Sequence, residues 1–216
     1  MVNLYVYCEG QTEESFVKKV LSSHFLSRNI ILFPIIHRTK EGPLGIFKGG
    51  ITDYNIAVKE IKRLCLQHQN EVVTSFMDYY GLHNIPDVLI TSNDKYQLIS
   101  AIEQRLYNDV GCSNFIPYIS LHEFESLLFS NPEEFKYLDS AAVPTLQAVL
   151  DQYKGNPEMI DNGPQTAPSK RILNAIASYS KVLDGVVIAN NVTFPEIRKK
   201  CKHFNEWLER LENTAS

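Results

Sequence analysis

Two apolar stretches of this chain each end on a carboxylate. Residues 4–8 (LYVYC) are followed directly by Glu9, and residues 71–77 (EVVTSFM) are followed by Asp78. Both stretches have the composition of buried strands, and a carboxylate placed directly after such a strand needs a partner. If the two strands are neighbours in a parallel sheet, both acids meet at its carboxyl edge, where α/β sheets gather functional groups. A divalent cation such as Mg²⁺ binds groups of this kind and can activate water for phosphoryl chemistry.

A third acid, Glu13, lies one turn away on the helix predicted to follow Glu9 and Gly10. Thr12 is predicted to cap that helix, because its hydroxyl is suited to a free backbone N–H group. Glu13 then either joins the cluster of Glu9 and Asp78 or answers the helix dipole as an ordinary carboxylate of the first turn. Both interpretations stay open.

A histidine and two further acids follow the short strand predicted at residues 114–120. They are His122, Glu123 and Glu125, in the sequence HEFE. On a helix, His122 and Glu125 would share a face. The HExxH signature of zinc proteases is absent, because position 126 is serine. The segment is therefore either part of a site at the strand end or a capping and surface-charge pattern.

A pair of cations opens a predicted helix at residues 167–171 (APSKR). Pro168 or Ser169 would begin this helix, followed by Lys170 and Arg171. Cations beside free N–H groups are a suitable anchor for a phosphate, and Lys181 is a further candidate contact to a nucleic-acid backbone. The alternative is a solvated first turn, in which cations mildly oppose the helix dipole.

Alternating strands and helices have to position these residues. Strands are predicted at residues 4–8, 29–37, 71–78 and 114–120, with helices between them. This alternation is typical of parallel βαβ units and predicts an α/β fold with a mostly parallel four-stranded sheet flanked by helices. Pro34 places the second strand near an edge of the sheet.

From residue 131 the pattern becomes helical, with prolines between short segments. The expected organisation is an α/β domain over residues 1–130 and a helical extension over residues 131–216, packed as one compact unit. Residues 38–50, with four of the chain's glycines, are predicted to form a mobile loop or a basic flap over a phosphate backbone.

Bulk composition indicates an ordinary soluble globule. The formal net charge is −4, so no global basic field points to nucleic acid, although a local basic groove is compatible with it. The four cysteines are far apart and are expected to be reduced thiols, which together with the absence of a signal-like or membrane-spanning segment predicts a cytoplasmic protein with no membrane partner. No Walker A loop or nucleophile elbow is present.

The motifs together resemble a known group of proteins. Residues 9–13 (EGQTE) resemble the first acidic motif of Toprim domains, in the EGxTE form of the OLD (overcoming lysogenization defect) family nucleases. With residues 78–81 (DYYG), HEFE and APSKR, in this order, the chain is similar to an uncharacterised bacterial family distantly related to Toprim. The four motifs span most of the chain.

The resemblance implies a Toprim/Rossmann-like sheet and divalent-metal-dependent cleavage of phosphodiester bonds. Glu9 and Asp78 would bind Mg²⁺ or Mn²⁺, with Glu13 supporting them. Toprim domains usually carry Asp-x-Asp after the third strand. This chain has Asp78, but Tyr80 stands at the position of the second aspartate. A second metal ion would therefore need Glu125 or Glu123.

The remaining roles complete the leading hypothesis, a nuclease. Glu125 would join the metal ligands, and Glu13 would bind metal or position water. His122 would orient a ligand or shuttle a proton, and Lys170 and Arg171 would hold the scissile backbone. The expected partners are nucleic acid, with DNA favoured over RNA, and an AAA-type ATPase, because relatives of this kind are encoded beside such ATPases in bacterial defence or mobile loci. The alternatives are a catalytically inactive Toprim-like subunit that binds nucleic acid or nucleotide in an ATPase complex, and a hydrolase or transferase acting on a small phosphate ester.

Overall fold

The computed structural model describes residues 1–36, 38–42, 45–48, 52–90, 93–161, 163 and 165–215. The side chains of residues 38–42, 45–48 and 52 lie outside that description. No helix within these ranges combines the length and apolar character that crossing a bilayer requires.

The central sheet is parallel and contains five strands. They are β1 (Val2–Cys8), β2 (Ile30–Ile36), β6 (Val72–Asp78), β8 (Phe115–Ile116) and β9 (Ile119–Ser120). The order is β2-β1-β6-β8, and β9 also pairs with β6. The predicted α/β class with its parallel sheet is confirmed, and Pro34 lies in the edge strand β2, as expected.

The predicted fourth strand is divided in two by Pro117 and Tyr118. Ser75 of β6 bridges the gap: its hydroxyl donates to the carbonyl of Tyr118 at 2.9 Å and accepts from the Tyr118 N–H at 3.0 Å. A serine side chain thus replaces the backbone pairing at the bend. The division explains why the sheet has five strands rather than the four expected.

The helices of the first half flank this sheet. A continuous helical stretch comprises α1 (Gln11–Phe16), a π-helical segment (Val17–Leu21) and α2 (Ser22–Leu26), and α3 (Tyr54–Gln67) and α4 (Lys95–Val110) follow. The prediction of Thr12 as the first cap is wrong, because α1 begins at Gln11 and Gly10 occupies the cap position. Asp94 caps α4 by accepting from the Tyr96 N–H.

The described residues of the predicted loop, 38–42 and 45–48, form strands instead. Strands β3 (Arg38–Gly42) and β4 (Gly45–Lys48) form an antiparallel pair, and β5 (Thr52–Asp53) pairs with β7 (Leu82–His83). Residues 37, 43, 44 and 49–51 lie outside the described residues, and so do the side chains on which the flap hypothesis depends.

The second half is helical within the described residues. It contains α5 (Lys136–Asp139), α6 (Val143–Gln152), α7 (Pro168–Ala175), α8 (Lys181–Val192), α9 (Phe194–Lys200) and α10 (Lys202–Glu212). Short 3₁₀ segments lie between or beside them at Phe124–Ser130, Pro132–Phe135, Ser140–Ala142, Pro157–Met159 and Asn213–Ala215.

These helices share a core with one face of the sheet. Trp207 of α10 is fully buried, stacks on Tyr118 with a ring separation of 4.4 Å, and donates its indole N–H to Thr74 of β6 at 2.9 Å. The other face of the sheet packs against α3 and α4. The division into domains at residue 130 stays a prediction.

Candidate functional site

The pairing of β1 with β6 brings Glu9 and Asp78 together. Cys8 lies beside Phe76 in the register, and the Glu9 N–H donates to the Phe76 carbonyl at 3.3 Å. Beyond the last paired residues, the Asp78 N–H donates to Oε2 of Glu9 at 3.1 Å. The two acids therefore lie at the carboxyl edge of adjacent parallel strands, as the sequence predicts.

Gly81 makes room for the Glu9 carboxylate. A Cβ atom at position 81 would lie 2.8 Å from Oε2 and 2.9 Å from Cδ of Glu9, and closer still to Oε1. Such distances are shorter than van der Waals contact, so any other residue at position 81 would displace the carboxylate. Gly81 thus has a physical role that was not predicted from the sequence. The only signal for it was that Gly81 belongs to the DYYG motif.

Burial raises the pKa values of the three acids, and repulsion from neighbouring carboxylates adds to it for Glu9 and Asp78. Burial is the largest cause for Glu9, followed by the negative charge of Glu13, and together they raise the pKa of Glu9 to about 7. The pKa of Asp78 is raised well above its ordinary value by burial, and then by Glu13 and Glu9. Burial also raises the pKa of Glu13, although the N–H groups of Glu13 and Gly10 partly offset it. The sheet edge therefore holds carboxylates that lack sufficient compensating charge.

Glu125 and Lys181 complete this cluster. Glu125 is fully buried, and Nζ of Lys181, at the start of α8, lies 3.0 Å from its Oε2. Burial nevertheless raises the pKa of Glu125 to about 7, because the ion pair offsets only part of the desolvation. Burial opposes the charge of Lys181, but Glu125 and Asp78 outweigh it and raise the pKa of the lysine. Lys181 is thus a cation within the cluster.

The HEFE segment has a different backbone from the one expected. Glu123 is extended, with φ −126° and ψ 156°, and the 3₁₀ segment begins only at Phe124. The expectation that His122 and Glu125 share one face of a helix is therefore wrong. His122 is buried, and its carbonyl accepts from the Tyr80 N–H at 3.4 Å, which joins HEFE to the DYYG turn.

Glu123 joins HEFE to APSKR. Its Oε2 accepts from the Ser169 N–H at 2.9 Å, and its Oε1 accepts from the Ser169 hydroxyl at 3.1 Å. The carboxylate thereby occupies the N-terminus of α7, where free N–H groups and the dipole favour an anion. Glu123 and Ser169 therefore fix the arrangement of two motifs, and Glu123 is less available as a metal ligand than Glu125.

The two adjacent cations of APSKR have different surroundings. Nε of Arg171 donates to the carbonyl of Thr166 at 2.6 Å, and its Nη2 donates to the hydroxyl of Tyr153 at 3.0 Å. Lys170 is exposed and forms no hydrogen bond or ion pair with the part of the chain that the structure describes. Their contacts with a nucleic-acid backbone stay predictions, and α7 begins at Pro168, as expected.

The donor atoms fit a hard divalent cation. Asp78 Oδ1 and Glu125 Oε1 are buried and lack a hydrogen-bond partner among the described residues, although such atoms are normally satisfied. Carboxylate oxygens are the ligands that Mg²⁺ and Mn²⁺ prefer. Within the same residues no three His, Cys, Asp or Glu side chains already stand at metal-binding separation. Binding of a cation by three of these acids would therefore require their carboxylates to move closer to one another.

Comparison with known proteins identifies the family of this chain and a solved structure with a similar fold. No curated protein matches it. Among solved structures, it is similar to the C-terminal region of the OLD protein of Burkholderia pseudomallei, with a TM-score of 0.52 and 13% sequence identity, over 100% of both chains. At that identity the likeness concerns the fold. The sequence profile described as "Domain of unknown function (DUF4276)" matches residues 8–212, and the chain therefore belongs to the DUF4276 family.

Proposed function

We propose that this protein is a nuclease that hydrolyses phosphodiester bonds with Mg²⁺ or Mn²⁺ bound by the acids at the carboxyl edge of the sheet. The observation that carries the proposal is the convergence of buried carboxylates whose pKa values are raised. Two of their oxygens, Asp78 Oδ1 and Glu125 Oε1, have no hydrogen-bond partner in the part of the chain that the structure describes. Removing several carboxylates from water is unfavourable unless a cation compensates them.

In this proposal Glu9, Asp78 and Glu125 hold the metal. The bound cation would supply a more acidic water and stabilise charge on the phosphoryl oxygens. Glu13, buried beside them with a raised pKa, accepts a proton from the attacking water. His122, buried at the same edge, orients a ligand or moves a proton.

Basic side chains would hold the substrate. Lys170 is the better candidate of the adjacent pair, because Arg171 would first have to leave the Thr166 carbonyl and the Tyr153 hydroxyl. Lys181 is 44% exposed and could exchange Glu125 for a phosphate once a metal neutralises that acid. DNA is the favoured substrate, and an AAA-type ATPase is the proposed partner.

Two observations support the nuclease class over other metal hydrolases. The overall fold is similar to the C-terminal region of an OLD protein. The EGQTE segment, which resembles the first Toprim motif, also supplies Glu9 and Glu13 of the cluster.

A cleavage assay tests the proposal. Supercoiled plasmid and a single-stranded oligonucleotide are incubated with the wild-type protein and with Glu9→Ala and Asp78→Ala variants, in Mn²⁺, Mg²⁺ or EDTA. The expected result is cleavage that requires a metal and is lost in both variants. A folded Glu9→Ala variant that keeps full metal-dependent activity would contradict it.

A second candidate function, binding without catalysis, is favoured by one contact. Lys181 already supplies a cation to Glu125, and position 80, where Toprim domains usually have a further acid, is tyrosine. This reading predicts that a fluorescent DNA oligonucleotide is bound, as measured by anisotropy, and remains intact with every metal. Cleavage dependent on Glu9 would exclude it.

A further inference from the structure

Tyr179 has a buried hydroxyl without a partner. The residue lies between α7 and α8, its side chain is 6% exposed, and its hydroxyl forms no hydrogen bond within the described residues. Buried hydroxyl groups are normally hydrogen-bonded, so a hydroxyl in this condition indicates a place where a partner can bind.

The hydroxyl lies at the junction of α8 with the segment that carries Glu125. A Cβ atom at Gly185 would lie 2.9 Å from the Tyr179 hydroxyl and 3.4 Å from Cε1 of Phe124, the residue before Glu125. Gly185 is one helical turn after Lys181, so both lie on the same side of α8. Burial is the largest cause that raises the pKa of Tyr179, and Glu125 is the next, which agrees with their proximity.

Two unsatisfied groups thus occur in one region. Tyr179 offers an O–H donor, and Glu125 offers a buried Oε1 acceptor that has no partner among the residues the structure describes. In metal sites, carboxylate ligands are commonly held by hydrogen bonds from neighbouring residues, and such neighbours set both orientation and affinity. While Lys181 pairs with Oε2 of Glu125, the tyrosine is not needed to hold the carboxylate.

We infer that Tyr179 is a positioning residue for the metal site, whose hydroxyl donates to the Glu125 carboxylate when that carboxylate binds a divalent cation. The inference rests on the proposed function, and deepens it by naming a residue that acts through Glu125. Gly185 belongs to the same arrangement, because a side chain there would push against the hydroxyl.

The test is direct Mn²⁺ binding to the metal-free protein, measured by calorimetry at pH 8 together with thermal unfolding without metal. Tyr179→Phe removes an unpaired hydroxyl, so its thermal stability should equal or exceed that of the wild type. Its Mn²⁺ affinity should fall about tenfold. The matched control is Tyr54→Phe, which removes a hydroxyl that donates to Asp109 at 2.9 Å, and should lose stability while keeping the wild-type Mn²⁺ affinity.

The outcomes separate the inference from the function it rests on. If the wild type and Tyr179→Phe bind Mn²⁺ equally, the inference is overturned and the metal site stands. If the wild type takes up no Mn²⁺, the proposed function fails and the inference fails with it. Gly185→Ala is the second variant, should Tyr179→Phe unfold: an affinity as high as that of the wild type would likewise overturn the role of Tyr179.

Discussion

Two regions of this molecule bury acidic side chains, and the hydrogen bonding of those side chains differs between the two regions. The site cluster consists of Glu9, Glu13, Asp78 and Glu125 with Lys181. The second region, here called the α4–α10 cluster, consists of Glu103, Glu158 and His203. Glu103 and His203 line an open groove of about 920 Å³ between these two helices.

In the α4–α10 cluster the acids are satisfied by the protein itself. Oε1 of Glu103 accepts from the Ile119 N–H at 2.8 Å and lies 2.9 Å from Nε2 of His203. Glu158 accepts from the N–H groups of His203 and Phe204 at the start of α10, and from the hydroxyl of Tyr96. This region ties α10 and the sheet to α4.

Hydrogen bonding, rather than burial, separates the acids of the two clusters. Both regions contain deeply buried carboxylates, and burial raises the pKa of Glu158 as it does that of Glu125. What distinguishes them is hydrogen bonding: Glu158 has donors on both oxygens, whereas Oε1 of Glu125 and Oδ1 of Asp78 have none among the described residues. Unsatisfied acceptors, more than burial, are therefore what favours the site cluster as the place where a ligand would bind.

The largest expected effect on stability comes from Glu158→Ala. The substitution leaves two N–H groups at the start of α10 and the Tyr96 hydroxyl without their acceptor, and should lower the free energy of unfolding by about 3 kcal/mol. Denaturant unfolding measures this loss. Glu133→Ala, at an exposed position, is the control and should change stability little. Mn²⁺ affinity should be unaffected in both variants, and a weakened affinity in Glu158→Ala would undo the distinction between the two regions.

The second prediction concerns the pH dependence of stability through Glu9. Its pKa is raised to about 7 in the folded protein, so the folded state binds the proton more tightly than the unfolded chain. The free energy of unfolding should therefore fall as pH rises from about 4.5 to about 7. Glu9→Gln lacks this loss and should be more stable than the wild type above pH 7, by up to about 3 kcal/mol, with no difference below pH 4.

Urea unfolding of both proteins across this pH range, without metal, measures the effect. Adding Mg²⁺ at pH 8 should stabilise the wild type more than the variant, because the cation binds the ionised carboxylates. If the unfolding free energies of the wild type and Glu9→Gln run parallel over the whole pH range, ionisation of Glu9 does not lower stability and the prediction is wrong.

The smallest predicted effect is that of Gly81→Ala. Its Cβ would displace the Glu9 carboxylate, which is the end of a flexible side chain, so the protein should remain folded with a change in stability below about 1 kcal/mol. The Mn²⁺ affinity should nevertheless fall about tenfold, as expected when a ligand loses its orientation. Gly155→Ala is a poor control, because Gly155 has a positive φ of 76°. Ser140→Ala, at an exposed site between α5 and α6, is the better control. A Mn²⁺ affinity of Gly81→Ala equal to that of the wild type would contradict the role of Gly81.

The sheet and its acidic edge were predictable from local pattern. Apolar strands ending on Glu9 and Asp78 place both acids at one edge as soon as the strands are parallel neighbours, and that pairing is present. The short strands β8 and β9 could not be separated from sequence, because the bend at Pro117 is stabilised by Ser75, which is distant along the chain.

The partners within the site could not be predicted, because they depend on tertiary packing. The bond of Glu123 to Ser169 spans 46 residues, and nothing local distinguishes Glu123 from Glu125 in HEFE. The ion pair of Lys181 with Glu125 was equally unpredictable, because it forms only where α8 packs against the 3₁₀ segment Phe124–Ser130. Sequence therefore indicated the acids, and the fold determines which of them are free to bind a ligand.

The proposed metal site is tested most directly by calorimetric titration of the metal-free protein with Mn²⁺ at pH 8. At this pH Glu9 and Glu125, with pKa values of about 7, are ionised. The variant is Asp78→Asn, and the matched control is Asp109→Asn, outside the site cluster, where Asp109 pairs with Arg105. Saturable uptake by the wild type and by Asp109→Asn, with at least ~100-fold weaker binding in Asp78→Asn, is the predicted result. Equal uptake by folded Asp78→Asn, or no uptake by the wild type, would contradict a metal site at the carboxyl edge of the sheet.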